Sequence, residues 1–201
     1  MNIQEYDILN AIFTTTNATQ RSLADCSGHS LGIVNRSIKK LTSDGYLTTT
    51  MQPTDKAITL YNHSVPQNAV ILAAGFGMRM VPINTETPKG LLEIHDEALI
   101  ERIIRQLHEA NIHNIYIVVG FMKEQYEYLI DEYDVTLIVN ADYASKNNLH
   151  SLNLASEYLK NSYIIPCDIW CKDNPFHKHE FYSWYMVSDA QTTESSVRVN
   201  R

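Results

Sequence analysis

Apolar positions along residues 1–62 recur at helical spacing. Ile8, Leu9, Ile12 and Phe13 share one face. Thr19 before Gln20-Arg21-Ser22-Leu23-Ala24 starts a second short helix that Gly28 ends. Ser30 is placed to cap a third, whose Leu31, Val34, Ile38 and Leu41 form a core-facing stripe. After Gly45 the period shortens. Tyr46 to Thr50 and Ala57 to Tyr61 read as strands, joined by turn-forming residues 52–56. From residue 69 short apolar runs alternate with amphipathic helices. Residues 69–74, 115–119, 135–139 and 163–167 read as buried strands. Leu99, Ile100, Ile103, Ile104 and Leu107 stripe one helix, with Asp96 placed to cap it. Tyr126, Leu129, Ile130 and Tyr133 stripe another, and Leu152, Leu154, Ala155 and Leu159 a third.

Three helices and a hairpin predict a small α+β winged helix-turn-helix over residues 1–62. Alternating βα units predict a mostly parallel, doubly wound sheet over 69–201. Between them, the polar, aperiodic stretch 63–68 reads as a linker.

Charge separates the halves. Residues 1–66 hold matched basic (Arg21, Arg36, Lys39, Lys40, Lys56) and acidic (Glu5, Asp7, Asp25, Asp44, Asp55) side chains, so the net charge of −7 lies beyond Pro66. That balance opposes a chain coating nucleic acid or anionic membrane over its whole surface, while leaving a local basic face open. With 44% hydrophobic and 19% charged residues, the composition is that of a folded globular chain. No apolar run reaches membrane-spanning length, and the start MNIQEYD lacks the features of a secretory signal. Cys26, Cys167 and Cys171 cannot all pair with one another, so free thiols and a cytoplasmic location are expected.

In a doubly wound sheet the ligand lies outside the carboxyl ends of the strands, which directs attention to the loop after the first strand. It reads Leu72-Ala73-Ala74-Gly75-Phe76-Gly77-Met78-Arg79, and continues through Pro82 to Pro88-Lys89-Gly90-Leu91. The glycine pair lets backbone N–H groups approach a phosphate chain, and Ala73 and Ala74 keep the surface open. Neither the dinucleotide fingerprint nor a Walker A loop is present. What the loop adds is two cations, Arg79 and Lys89, on a proline-stiffened excursion able to fold back on the same phosphates.

This stretch is similar to the signature of the nucleotidyltransferases that activate sugar phosphates and phosphocholine, a Rossmann-like family. Three further segments most resemble the bacterial CTP:phosphocholine cytidylyltransferases of the LicC type: Val118 to Gln125, Ala141-Asp142-Tyr143 with Asn147 to Leu152, and Ile164 to Asp168. The resemblance covers residues 69 to about 190. It implies CTP and phosphocholine as substrates, with Arg79 on the leaving phosphates and Lys89 on the α-phosphate and the attacking phosphate. Leu72, Ala73, Ala74, Gly75 and Gly77, with Asn147, Asn148 and Ser151, would bind the nucleotide, and Asp168 would hold Mg²⁺. A trimethylammonium group is recognised by aromatic faces, which singles out Trp170, Trp184 and Tyr185; the same rings could instead pack a core. His177 and His179 flank a lysine in a polar run and read as surface. A sugar-1-phosphate nucleotidyltransferase is a rival within the enzyme class.

The order of elements in 1–62, the basic third helix and the Asp44-Gly45-Tyr46-Leu47 step resemble the DNA-reading module of MarR-type bacterial regulators. The resemblance implies a third helix in the major groove, with Arg36, Lys39, Lys40 and Lys56 on phosphates and Asn35 or Arg36 on a base edge. Winged helices of this type commonly dimerise, so a homodimer is a natural expectation. Such a core also serves as a protein-docking module. A regulator whose second domain senses a nucleotide or choline metabolite is therefore the rival from another class. By the resemblance, the second domain is incomplete at its C-terminus, where the family places a second metal carboxylate. The alternating Ser196-Val197-Arg198-Val199 pattern reads as a strand cut short, with weak turnover expected.

Overall fold

A computed structural model of the chain describes residues 1–77 and 86–187. Arg79 and the Ser196 to Val199 pattern lie outside the described residues.

The N-terminal unit is built from α1 (Ile3–Thr14), α2 (Gln20–Ser27), α3 (Leu31–Ser43) and α4 (Asp55–His63). Side chains set the helix ends. Asn2 and Glu5 form a reciprocal capping box on α1, and Thr19 accepts from Ser22 N at α2. Gly28 closes α2 in the left-handed region at φ 70°, and Ser30 accepts from Ile33 N to open α3. Ile8, Leu9, Leu23, Val34, Ile38, Leu41, Leu47 and Ala57 make the core. Leu31 departs from the expected stripe and is exposed. It opens α3, where a side chain leans back past the first turn and away from the packed face.

The expected hairpin is not what residues 46–61 form. One bridge, Leu47 to Pro53, is all that pairs here among the described residues, and 55–63 is helix. Thr54 explains the difference. It accepts from Ala57 N to cap α4, while its hydroxyl donates to the Gly45 carbonyl. Ala57 then enters the core, with Leu60 packed against it one turn later. Ala57, Leu60 and Tyr61 follow a helical period that the β-branched Ile58 and Thr59 obscure.

The second unit carries β1 (Asn68–Ala73), β2 (Glu93–Ile94), β3 (Glu97–Ala98), α5 (Leu99–Glu109), β4 (Ile115–Val119), α6 (Tyr128–Tyr133), β5 (Thr136–Val139), α7 (Asn148–Leu154) and β6 (Ser162–Pro166). The main sheet is parallel, in the order β5-β4-β1-β6. Alternation along the strands divides the core. Ile71, Ile117 and Ile165 face α5 and α6, whereas Val70 and Val118 pack with Ala155 and Leu152 on the α7 side. Asp96 does not cap α5. It occupies the turn of the β2–β3 hairpin at φ 61°, and Ala98 is the residue preceding the helix.

Residues 176–185 return from the second unit onto α1 and α4. His179 stacks on Tyr61, Phe181 meets Tyr6 and Tyr61, and Glu180 N donates to Ser64 O. His179 is thus half-buried rather than on the surface, because the aromatic run after it docks here. Among the described residues no helix is long and apolar enough to cross a membrane, and all three cysteines are free thiols.

Candidate functional site

The carboxyl ends of β1, β4 and β6 converge. β1 runs into Ala74 and Gly75, and a Cβ at Gly75 would meet none of the described residues, so this backbone can be approached closely. Gly120, after β4, lies flush against this stem. A Cβ there would sit 2.6 Å from Tyr143 Cβ and 2.8 Å from Ala74 O, and Phe121 N donates to that same carbonyl at 3.1 Å. Phe76 and Phe121 meet edge to face at 4.4 Å. The far end of the excursion is tied as well, since Gln125 Nε2 donates to Glu86 O at 2.9 Å.

Lys89 opens a 3-10 turn, Lys89–Leu91, and its Nζ donates to Asp168 Oδ2 at 2.8 Å. The two residues are brought together by Gly90, which rests on the Tyr126 hydroxyl and on Cys167. A Cβ at this position would meet those atoms at 3.0 and 3.2 Å. Cys167 N in turn donates to Leu72 O, so Asp168 projects just beyond the sheet. Burial pushes the Cys167 thiol up to about 12 although the neighbouring Lys89 charge opposes it. The group is a neutral packing element at physiological pH, not a nucleophile. Lys89 and Asp168 keep 19% and 37% of their side-chain surface, so the pair is accessible to a ligand.

Asn147 caps α7 by accepting from Leu149 N and His150 N, and Asn148 beside it is exposed. Ser151 is buried and accepts from Asn140 Nδ2 at 3.0 Å. Asn140, fully buried, also accepts from Asp142 N, so it ties the end of β5 to the start of α7. A polar residue ending an apolar strand was its only signal in the sequence.

The aromatic candidates separate. Trp184 and Tyr185 line a cavity of about 820 Å³ along β6, which also touches Leu72, Pro166 and Ile169 near the strand ends. Trp170 lies elsewhere, with the Arg102 guanidinium 4.8 Å from its ring centre.

On the N-terminal unit, Arg36, Lys39 and Lys40 are exposed on α3. Lys40 pairs with Asp44 at 2.8 Å, Asn35 donates to Gln20, and Arg36 reaches Gln4 at 3.5 Å. Lys56 belongs to α4 rather than to a wing. It donates to Asp44 O and sits over the Tyr46 ring.

Residues 69–183 match the MobA-like NTP transferase domain family, and residues 1–48 match a winged helix-turn-helix DNA-binding family. The chain is 44% identical over 117 residues to a choline-phosphate cytidylyltransferase of Streptococcus pneumoniae, covering 58% of this chain and 51% of that one. Identity is 42% over 120 residues to the Haemophilus influenzae protein of that name, covering 60% and 52%. A 2-aminoethylphosphonate cytidylyltransferase of Lancefieldella rimae is 39% identical over 102 residues, covering 50% and 42%. Among solved structures, the CTP:phosphocholine cytidylyltransferase of S. pneumoniae superimposes with a TM-score of 0.55 at 43% identity, covering 57% of this chain and 50% of that one. The chain therefore spans about half the length of these relatives.

Proposed function

The chain belongs to the MobA-like NTP transferase domain family, and on that premise we propose that it binds CTP at the carboxyl ends of β1, β4 and β6 and transfers the cytidylyl group to phosphocholine. The observation that carries this reading is the Lys89–Asp168 pair, held at 2.8 Å beside the open Gly75 stem. The relatives at 44% and 42% identity named for this reaction support the choice of substrates.

In such a transfer an oxygen of phosphocholine attacks the α-phosphorus in line. The bond to the bridging oxygen breaks, and pyrophosphate leaves with its electron pair. The attacking group is already anionic, so the protein positions reactants and neutralises charge without supplying a nucleophile. Lys89 contacts the α-phosphate and the incoming phosphate, and Arg79 takes the leaving phosphates. The backbone of Leu72, Ala73, Ala74, Gly75 and Gly77 borders the phosphate chain. Asn148, exposed beside the α7 cap, meets the base or ribose, while Asn147 and Ser151 serve by building the start of α7. Trp184 and Tyr185 offer ring faces to the trimethylammonium group.

Among the described residues no cluster of three or more His, Cys, Asp or Glu could enclose a metal. The single accessible carboxylate of Asp168 beside Lys89 suits Mg²⁺, which takes one or two carboxylates from a protein and completes its shell with phosphates and water. Asp168 would hold it, and the ion when bound would neutralise charge on the phosphate oxygens. The test is calorimetry with CTP and Mg²⁺, followed by pyrophosphate release from CTP plus phosphocholine. Binding and release that both depend on Asp168 are expected, and a chain without CTP affinity overturns the reading.

A second reading adds regulation through DNA. Asp7 on α1 accepts from Tyr182 at 3.1 Å and pairs with His29 at 2.9 Å, in the turn just before Ser30 and α3. One carboxylate thus links the nucleotidyltransferase unit to the entry of the helix carrying Arg36 and Lys39. A homodimer on a two-fold DNA site belongs to this reading. Salt-dependent DNA binding that shifts with CTP supports it, and a parent with no DNA affinity at low salt removes it.

A further inference from the structure

Asp168 is fixed on one side by β6, but what holds the chain beyond it comes from another element. Arg102 on α5 reaches across to the segment after Asp168. Its Nε donates to Cys171 O at 2.7 Å and one terminal nitrogen to Lys172 O at 2.6 Å. The other terminal nitrogen donates to Glu97 Oε2 at 3.0 Å, and Trp170 lies over the guanidinium. Gln106 Nε2, one turn along α5, donates to the same Cys171 carbonyl at 3.1 Å. Asp168 is therefore slung between two anchors, the Cys167 N to Leu72 O bond on the sheet and the Arg102 fork on the helix.

We propose that Arg102 is a positioning residue for the nucleotide site: by gripping two successive carbonyls and stacking on Trp170, it sets the Asp168 carboxylate where it can meet both Lys89 and a phosphate-bound divalent cation. The inference rests on the function proposed above. Its physical basis is the fixed geometry of the guanidinium. A planar fork can hold two carbonyls, a carboxylate and a ring face at once, whereas an ammonium is a point charge that holds them in no set orientation. Arg102 is largely enclosed, at 16% side-chain exposure, so water competes little for these contacts.

The experiment measures CTP affinity with and without Mg²⁺ on the full chain, together with the unfolding midpoint, for the parent, Arg102→Gln, Arg102→Lys and Asp168→Asn. Groups that orient metal ligands typically govern metal affinity by about tenfold or more. Arg102→Gln is expected to lose that much of the Mg²⁺-dependent gain in CTP affinity, while metal-free CTP affinity stays within about twofold of the parent. Arg102→Lys keeps the charge beside Glu97 and guards against a variant that fails to fold. A residue serving only as the ion partner of Glu97 would be rescued by lysine, so the proposal requires that Arg102→Lys retain the parent midpoint yet still lose the Mg²⁺ gain. An Mg²⁺ gain intact in both Arg102 variants but lost in Asp168→Asn overturns the role of Arg102 alone. A parent with no Mg²⁺-dependent CTP binding overturns the nucleotide reading and this inference with it.

Discussion

Lys89 and Lys40 each donate to an aspartate at 2.8 Å, yet the two contacts belong to different kinds of structure. Lys40 on α3 and Asp44 at its C-cap are four residues apart, and a helix end carrying those side chains in water can form the pair. Lys89 and Asp168 are 79 residues apart, and their meeting requires the sheet, the Gly90 contact with Cys167 and the grip of α5 on the chain beyond Asp168. The local pair needs nothing from the fold. The distant pair exists only because many other residues are in place, which is how the fold holds a cation and a carboxylate ready beside the strand ends.

The largest expected effect separates the two lysines directly. A charge-assisted contact to phosphate contributes on the order of 1.5–3 kcal/mol. Lys89→Ala should therefore weaken CTP binding at least about tenfold by calorimetry, whereas Lys40→Ala leaves it unchanged. Equal affinity in parent and Lys89→Ala would erase the distinction.

A pair of glycine replacements probes the same contrast through packing. At Gly120 an added methyl collides with Tyr143 Cβ and with the Ala74 carbonyl just after β1. Overpacking of this kind costs about 1–3 kcal/mol, and Gly120→Ala should lower the urea midpoint accordingly. At Gly32, on exposed α3, the nearest atom beyond its own helix is Ser30 Oγ at 4.0 Å. Gly32→Ala should instead raise the midpoint, through a stability gain of up to about 1 kcal/mol from helix propensity. Midpoints that move together would mean that the two regions are equally tolerant.

What the sequence makes legible follows the same divide. The strands of the second unit and the caps at Thr19 and Ser30 are readable because period and capping chemistry are local. Lys89 stands out as a loop cation and Asp168 through the resemblance, but their contact does not, since nothing in the chain announces that Gly90 will rest on Cys167. Arg102 is less visible still. Its partners are two backbone carbonyls, which every residue possesses and no side-chain pattern marks. Local signals can also conflict: at 57–61 β-branched Ile58 and Thr59 speak for strand, while the Thr54 cap and buried Ala57 decide for helix. His179 reads as surface because the ring it stacks on, Tyr61, lies more than a hundred residues earlier.

Where the two units meet, pH offers a smaller handle. His179 stacks on Tyr61 at 3.8 Å, with Nδ1 near Ser64 Oγ and Tyr61 O. Burial holds its imidazole below the ordinary 6.5; the Tyr61 carbonyl opposes this and Lys178 reinforces it. The undocked imidazole takes up a proton more readily, so the contribution of this contact is complete above about 6.5 and declines as pH falls through that value. The midpoint for loss of contact between the units should drop between neutral and mildly acidic pH. His179→Phe, which keeps a ring on Tyr61, should flatten that dependence. An identical pH profile in both proteins would assign the effect to another group.

The smallest effect is expected at the local pair itself, and it is read on DNA rather than on stability. Asp44 holds Lys40 through a hydrogen bond that also keeps the Asp44 carboxyl below its ordinary 3.8, so the pair is fully formed at neutral pH. A phosphate approaching α3 must compete with Asp44 for the Lys40 ammonium, while Lys39 and Arg36 carry no such ion pair among the described residues. Each phosphate contact contributes about 0.9 to the slope of log K against log salt. If α3 meets DNA, Lys39→Ala and Arg36→Ala should each lower the slope by about that amount, and Lys40→Ala by less. Asp44→Ala releases Lys40 and should raise the slope toward one further contact. Because the released ammonium only replaces one counterion by another, the gain in affinity at physiological salt remains slight, and the slope is the sensitive measure. A slope indifferent to Asp44→Ala but lowered fully by Lys40→Ala would show that the aspartate yields its partner freely, and that the two 2.8 Å contacts differ even more than their settings suggest.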